Sequence, residues 1–179
     1  MTVHIDGENY EITTLRIDRV TDGRRAEVEF TTDWQTDANR RDLTVNSMFL
    51  TLDGEIIDFF NAQDDLLNRL VRFVGNPDDR IQEDYLRILR YFRFYSRISL
   101  SADRHMPDHI EAIQKNAKGL EQISGERVWT ELAKIIDQRF NFEFLQLSYK
   151  LGIAPFIGLP ENGLRGKEER YQMLAENRQ

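Results

Sequence analysis

The chain has 179 residues, 40% of them hydrophobic and 31% charged, a composition able to bury a core in one domain or slightly more. No apolar run is long enough to cross a membrane. With no cysteine there is neither a disulfide framework nor a Cys-based zinc site. The net charge of −7 argues against a nucleic-acid clamp that is basic all over and leaves room for a local basic cleft. The opening M-T-V-H-I-D-G enters a strand pattern directly and is not Arg-rich, which predicts neither a signal nor a transit peptide.

Residues 2–30 read as strands. Asp6-Gly7 is a two-residue hairpin signal, and Tyr10 to Ile17 continues as an alternating strand carrying Glu11. Asp18 to Arg25 is polar, contains a glycine and reads as an exposed, mobile loop. Ala26 to Thr31 returns to strand. A carboxylate at Glu11 on a central strand could ligate Mg2+, which takes oxygen ligands. A solvent-facing Glu on a half-buried strand is the commoner reading of such a residue.

Thr36 to Phe49 predicts a helix capped by Thr36 or Asp37, with Leu43, Val45, Met48 and Phe49 as apolar contacts. Arg40, Arg41 and Asp42 are adjacent and therefore point in different directions. An arginine there could pair with phosphate while the aspartate takes a ribose hydroxyl; an ordinary charged turn is the alternative. Asp53-Gly54 marks a second hairpin between Phe49–Leu52 and Ile56–Phe59. Asn61 to Asn68 predicts a short helix and Leu70 to Val74 a short strand. The turn G-N-P-D-D at 75–79 separates a β-rich part from an all-helical part.

Ile81 to Ile98 predicts one helix. Tyr85, Ile88, Leu89, Phe92 and Tyr95 make its apolar face. Asp84, Arg87 and Tyr91 lie to one side, within about 60° of each other at roughly 100° per residue, and Arg90, Arg93 and Arg97 form a basic stripe. An Asp only accepts hydrogen bonds and an Arg only donates them. Cytosine and adenine each present an NH2 donor beside a ring-nitrogen acceptor; guanine and uracil present the reverse order. The Asp84/Arg87 pair could thus accept C and A and reject G and U, because a wrong base leaves polar groups unpaired. A solvated salt bridge one turn apart is the alternative.

Further helices are predicted over Pro107–Ala117, Gly125–Asp137 with Ser124 as N-cap, and Phe140–Leu151, stopped by Gly152. Val128, Trp129, Leu132, Ile135 and Ile136 supply the core face of the second. Residues 163–179 are highly charged and read as a fraying helix. Pro107 separates His105 from His109, so these two and His4 read as surface histidines.

Together these pieces resemble the class II tRNA nucleotidyltransferases, the CCA-adding enzymes, in their eukaryote-like branch. The resemblance rests on Y-E-I-T-T-L-R-I-D (10–18), E-F-T-T-D-W (29–34), R-R-D-L-T-V-N-S-M (40–48) and R-F-V-G-N-P-D-D-R-I-Q-E-D-Y-L-R-I-L-R-Y-F-R-F (72–94). It rests further on G-L-E-Q-I-S-G-E-R-V-W-T-E-L (119–132) and A-P-F-I-G-L-P (154–160). R-R-D and E-D-x-x-R are each weak alone; in this order and spacing they are specific. The resemblance implies an α+β fold: part of a nucleotidyltransferase-type mixed β-sheet head over 1–76, an all-helical neck over 77–160 and the start of a helical body over 161–179.

The resemblance also implies the chemistry. CCA is added to tRNA 3′ ends from CTP and ATP, with Mg2+, by attack of the 3′-hydroxyl on the α-phosphate and release of pyrophosphate. Glu83, Asp84 and Arg87 would select the base, and Arg40, Arg41, Asp42 and Arg90 would bind ribose and phosphate. Residues 119–132 would brace the pocket, and the 18–25 loop would help switch it from C to A. Glu11 would be an accessory acidic residue of the catalytic site. The family's glycine-rich start and D-x-D metal pair have no counterpart ahead of Glu11, so the principal metal ligands stay unassigned and the chain reads as a fragment, inactive alone. A non-catalytic nucleotide- or RNA-binding module of the same family, or a piece of a bacterial-type poly(A) polymerase, remains as an alternative. No membrane and no obligatory protein partner is implied. The expected location is cytoplasmic, with mitochondrial and nuclear sites for a full-length protein.

Overall fold

The structure is a computed structural model and describes residues 1–19 and 27–160. The first third carries β1 (Thr2–Ile5), β2 (Glu8–Glu11), β3 (Arg16–Arg19), β4 (Glu27–Phe30), α1 (Trp34–Asn39), β5 (Phe49–Leu50), β6 (Ile56–Ile57) and α2 (Ala62–Leu67). The rest is helical: α3 (Pro77–Glu83), α4 (Arg87–Ile98), α5 (Pro107–Asn116), α6 (Gly125–Ile136) and α7 (Asn141–Lys150), with 3-10 turns at Thr44–Asn46, Ala117–Gln122 and Ala154–Ile157. This is the expected α+β order. Among the described residues the strands form three separate two-stranded antiparallel sheets.

Both hairpins form where their turn residues predict. Asp6 (φ 52°) and Gly7 (φ 85°) take the left-handed backbone that a two-residue turn requires, with Ile5 opposite Glu8. Around Asp53-Gly54, Thr51 N–H bonds to the Glu55 carbonyl at 2.9 Å, and the flanking strands are two residues each. The Tyr10–Ile17 strand is in fact two. The β1–β2 ladder ends where Met1 and Ile12 exchange main-chain bonds at 2.8 Å, and pairing resumes only at Arg16, opposite Phe30. The loop predicted from residue 18 begins inside β3. Residues 20–26 and 161–179, with the predicted loop, tail helix and body segment, lie outside the described residues.

The predicted 36–49 helix is also broken. Asp33, not Thr36 or Asp37, caps α1 by accepting Gln35 N–H at 3.0 Å. After Asn39 the chain leaves the helix because residues 42–44 pair with 72–74. Thr44 N–H bonds to the Arg72 carbonyl at 2.9 Å and Val74 N–H to the Asp42 carbonyl at 3.0 Å. The predicted Leu70–Val74 strand reduces to this contact and the isolated Leu43–Phe73 bridge.

The largest departure is at Asp84. The turn at 75–79 already starts α3: Asn76 caps the N–H groups of Asp78 and Asp79, and Pro77 occupies the first turn. Asp84 is extended (φ −156°, ψ 106°) and ends that helix. Its side chain then accepts Leu86 N–H at 3.1 Å, and its carbonyl accepts Arg87 N–H at 2.9 Å, which starts α4. Asp84 and Arg87 thus flank a helix break instead of sharing one helix.

The core is built on α4, as its apolar pattern predicts. Ile88, Leu89, Phe92 and Tyr95 are buried with Ile81, Ile113, Leu120, Leu132, Ile135, Phe144 and Ile153. Tyr91, expected beside Asp84 and Arg87, is fully buried and stacks on Phe73. On α6, Val128, Leu132 and Ile135 face inward, but Trp129 is 64% and Ile136 42% exposed. Two predicted surface histidines pack inward, His109 buried and His105 half-buried. His109 is buried and its Nε2 accepts Phe73 N–H at 3.1 Å. His105 stacks on Tyr95 with centroids 3.8 Å apart, because α5 starts only at Pro107 and the preceding segment folds back over α4. Among the described residues no helix is long and apolar enough to cross a membrane.

Candidate functional site

A cleft of about 530 Å³ opens between the α1 end, the α3–α4 break and α6. Arg16, Arg40, Arg41, Arg87, Arg90 and Arg127 line it together with Asp42 and Asp84. So many guanidiniums converge here, in a chain of net charge −7, that the cleft is locally rich in arginine. Asn46, Leu86 and Phe94 complete the wall, and the Arg93 guanidinium lies over the Phe94 ring at 4.7 Å.

At one side, Arg40 and Arg41 both grip Asp37. Arg40 donates Nε (2.9 Å) and Nη2 (2.7 Å) to Oδ1; Arg41 donates Nε (3.1 Å) and Nη2 (2.8 Å) to Oδ2. The Arg16 main-chain N–H adds a bond to Oδ1 at 3.1 Å. Burial acts to raise the Asp37 pKa, but the bonds from Arg41, Arg40 and Arg16 outweigh it and hold the carboxyl below its ordinary value. Arg40 and Arg41, expected to diverge, therefore converge on one carboxylate.

Asp42 faces the other way. Its Oδ2 takes Arg90 Nε at 2.5 Å and its Oδ1 takes Asn46 Nδ2 at 3.0 Å. Burial pushes its pKa up, while the Arg90 hydrogen bond and charge push it down further, so the net shift is downward. Arg90 is correspondingly shifted up, with burial opposing and Asp42 prevailing. Behind it, Arg93 pairs with the buried Glu131 of α6 at 3.2 Å.

At the helix break, Asp84 Oδ2 accepts Arg127 Nη2 at 2.8 Å. Arg87 Nη1 donates to Glu83 Oε2 at 2.5 Å and to the Arg80 carbonyl at 2.9 Å, while its Nη2 donates to the Arg40 carbonyl at 3.1 Å. Asp84 and Arg87 each hold a different partner, yet both line the same cleft. An acceptor and a donor from the two sides of the helix break thus line one cleft. That break is seated closely: a Cβ on Gly119 would lie 2.1 Å from the Tyr85 ring.

The cleft gathers Arg40, Arg41, Asp42, Asp84, Arg87 and Arg90 from the residues expected to form a site. Glu83 supports Arg87 from the α3 end. Glu11 ends β2 on an exposed hairpin, apart from the cleft-lining residues. Asp37 was read only as a candidate helix cap, and Arg16, Arg127 and Glu131 were not singled out individually in the sequence. Asp37 carried a signal, three and four residues before the two arginines; the others reach the site only through tertiary packing. The Mg2+ expectation does not fit these residues. Among the described residues no group of three or more His, Asp or Glu side chains could hold a metal ion, and the cleft's carboxylates are engaged by arginine.

A family model described as the poly A polymerase head domain matches residues 1–72. Another, described as a probable RNA and SrmB-binding site of polymerase A, matches residues 106–161. The human protein named CCA tRNA nucleotidyltransferase 1, mitochondrial, is 60% identical over 177 residues, which is 99% of this chain and 40% of that protein. This chain belongs to the tRNA nucleotidyltransferase and poly(A) polymerase family. Within the family, the Bacillus subtilis CCA-adding enzyme is 39% identical over 143 residues, covering 79% of this chain and 35% of the relative. The higher identity to the human protein fits the eukaryote-like reading. The crystal structure of the Bacillus stearothermophilus CCA-adding enzyme in complex with CTP aligns with a TM-score of 0.76 at 34% identity, covering 97% of this chain and 40% of that one. The chain therefore spans about two fifths of the length of these family members.

Proposed function

We propose that this chain is the nucleotide-selecting part of a tRNA CCA nucleotidyltransferase, and that the arginine-lined cleft takes CTP and ATP. Residues 1–76 belong to the head, 77–160 form the neck, and 161–179 begin a body. One observation carries the reading: Arg40, Arg41 and Asp42 line one cleft with Asp84, Arg87 and Arg90, which are distant in sequence. Asp84 accepts the exocyclic amine of C or A and Arg87 donates to the adjacent ring nitrogen, while G and U present the wrong order. Arg40, Arg41, Asp42 and Arg90 hold ribose and phosphates, with Glu83 steadying Arg87. These groups bind and orient the nucleotide for attack by a tRNA 3′-hydroxyl. Glu11 serves as an accessory acidic residue. The described residues build no Mg2+ site, and the chain alone binds and selects nucleotide without extending tRNA. The mitochondrial designation of the human relative supports a mitochondrial place of action.

Equilibrium binding of CTP, ATP, GTP and UTP tests this. CTP and ATP are expected to bind at least about tenfold more tightly than GTP and UTP, and Asp84→Ala is expected to erase the difference. Equal binding of all four, or binding of none, contradicts it.

A further inference from the structure

We propose that Asp37 is a positioning residue for the polyphosphate, fixing Arg40 and Arg41 as one rigid pair of guanidiniums on the cleft wall; this rests on the nucleotide-binding reading above. Asp37 is 0% exposed, so it does not itself meet a ligand. Its two oxygens accept five hydrogen bonds, from Arg16 N–H and from Nε and Nη2 of each arginine. A carboxylate offers about four lone-pair sites, so its accepting capacity is fully used.

The stoichiometry differs from that of a structural ion pair. One buried carboxylate needs one guanidinium to be matched; this one holds two, and both line the cleft. Both arginines turn the same edge, Nε and Nη2, onto Asp37, so their Nη1 corners face away from it. Arg41 keeps 37% of its side chain exposed. Two planar forks held at fixed spacing suit bridging phosphate oxygens, where arginine geometry counts as well as charge.

Asp37 also joins the parts of the site. Through Arg16 N–H it ties β3 to α1, and the Arg40 carbonyl accepts from Arg87 at the base-reading end. Removing the carboxylate therefore loosens the phosphate side, while the Asp84–Arg127 and Glu83–Arg87 contacts still define the base.

The test measures binding of CTP, UTP and inorganic tripolyphosphate to the wild type, Asp37→Asn and Asp37→Glu, with folding checked by circular dichroism. Asp37→Asn is expected to weaken CTP and tripolyphosphate alike, by about tenfold, with the CTP-to-UTP ratio unchanged. Asp37→Glu keeps the charge but displaces the guanidiniums by one methylene, and is expected to weaken both ligands in the same direction. If Asp37→Asn does not fold, Asp37→Glu decides. Folded Asp37 variants that bind tripolyphosphate as the wild type does, while the wild type selects CTP over UTP, overturn the Asp37 proposal alone. A wild type that binds neither CTP nor tripolyphosphate overturns the cleft reading with it.

Discussion

Arg90 Nε lies 2.5 Å from Asp42 Oδ2, an ion pair across 48 residues of sequence. It joins α4 to the turn after α1, and so couples the two motifs of the cleft. The Asp42 side chain is 7% exposed and that of Arg90 33%, so solvent screens the arginine in part. Asp42→Ala is expected to cost about 1–3 kcal/mol, because it strands a half-buried guanidinium and orphans Asn46 Nδ2. Urea denaturation measures this; a change below about 0.5 kcal/mol, the range of ordinary surface substitutions, speaks against it.

Gly119 leaves no room for a side chain. An added Cβ would sit 2.1 Å from Tyr85 Cδ1, and that ring is anchored between Asp84 and Leu86 at the helix break. Gly119→Ala is expected to destabilise the chain by about 1–3 kcal/mol through overpacking and to weaken nucleotide selectivity by shifting Asp84. Thermal unfolding and the CTP-to-UTP affinity ratio check both halves. An unchanged ratio in a destabilised protein separates packing from site geometry.

His105 gives stability a pH dependence. It stacks on Tyr95 and its Nδ1 lies 3.0 Å from the Tyr91 hydroxyl. Burial, opposed in part by Asp103, lowers its pKa from 6.5 to about 4. The unfolded chain therefore binds this proton at a higher pH than the folded one. The contribution is complete above about pH 6.5 and is lost as pH falls towards 4. After allowance for its partial exposure, the loss between about pH 6.5 and 5 is on the order of 1 kcal/mol. His105→Gln is expected to flatten the urea midpoint across that range; an equally steep profile in the variant assigns the dependence elsewhere.

Trp129 protrudes from α6 with 64% of its surface exposed. Trp129→Ala is expected to change stability by less than about 0.5 kcal/mol, and iodide is expected to quench its fluorescence. Strong protection from quenching contradicts the exposed placement.

Much of this arrangement was legible in the residues. The Asp6-Gly7 and Asp53-Gly54 hairpins and the α4 face follow from local chemistry that tertiary contacts do not override; Ser124 precedes α6 as predicted but makes no side-chain cap hydrogen bond. The breaks were not legible. At Asp84 the side chain competes successfully with the helix by binding Leu86 N–H, although the flanking periodicity runs through it. At residues 42–44, pairing with 72–74 ends a helix that the pattern alone would continue. Trp129 was misplaced because apolar spacing cannot tell a core tryptophan from an exposed one. Of the cleft, the acceptor–donor pair and the arginines could be read in the sequence. Their partners Arg127 and Glu131 fall in the 119–132 segment that the family resemblance placed beside the pocket, but their individual pairings could not be read, because α6 meets α4 only in the folded chain.

The most direct measurement is the structure of this chain with CTP bound, by crystallography or by intermolecular NMR contacts. The cytosine amine is expected within hydrogen-bond distance of Asp84, its N3 at Arg87, and the phosphates along Arg40 and Arg41. A nucleotide bound outside this cleft, or bound in it with the base away from Asp84 and Arg87, contradicts the account.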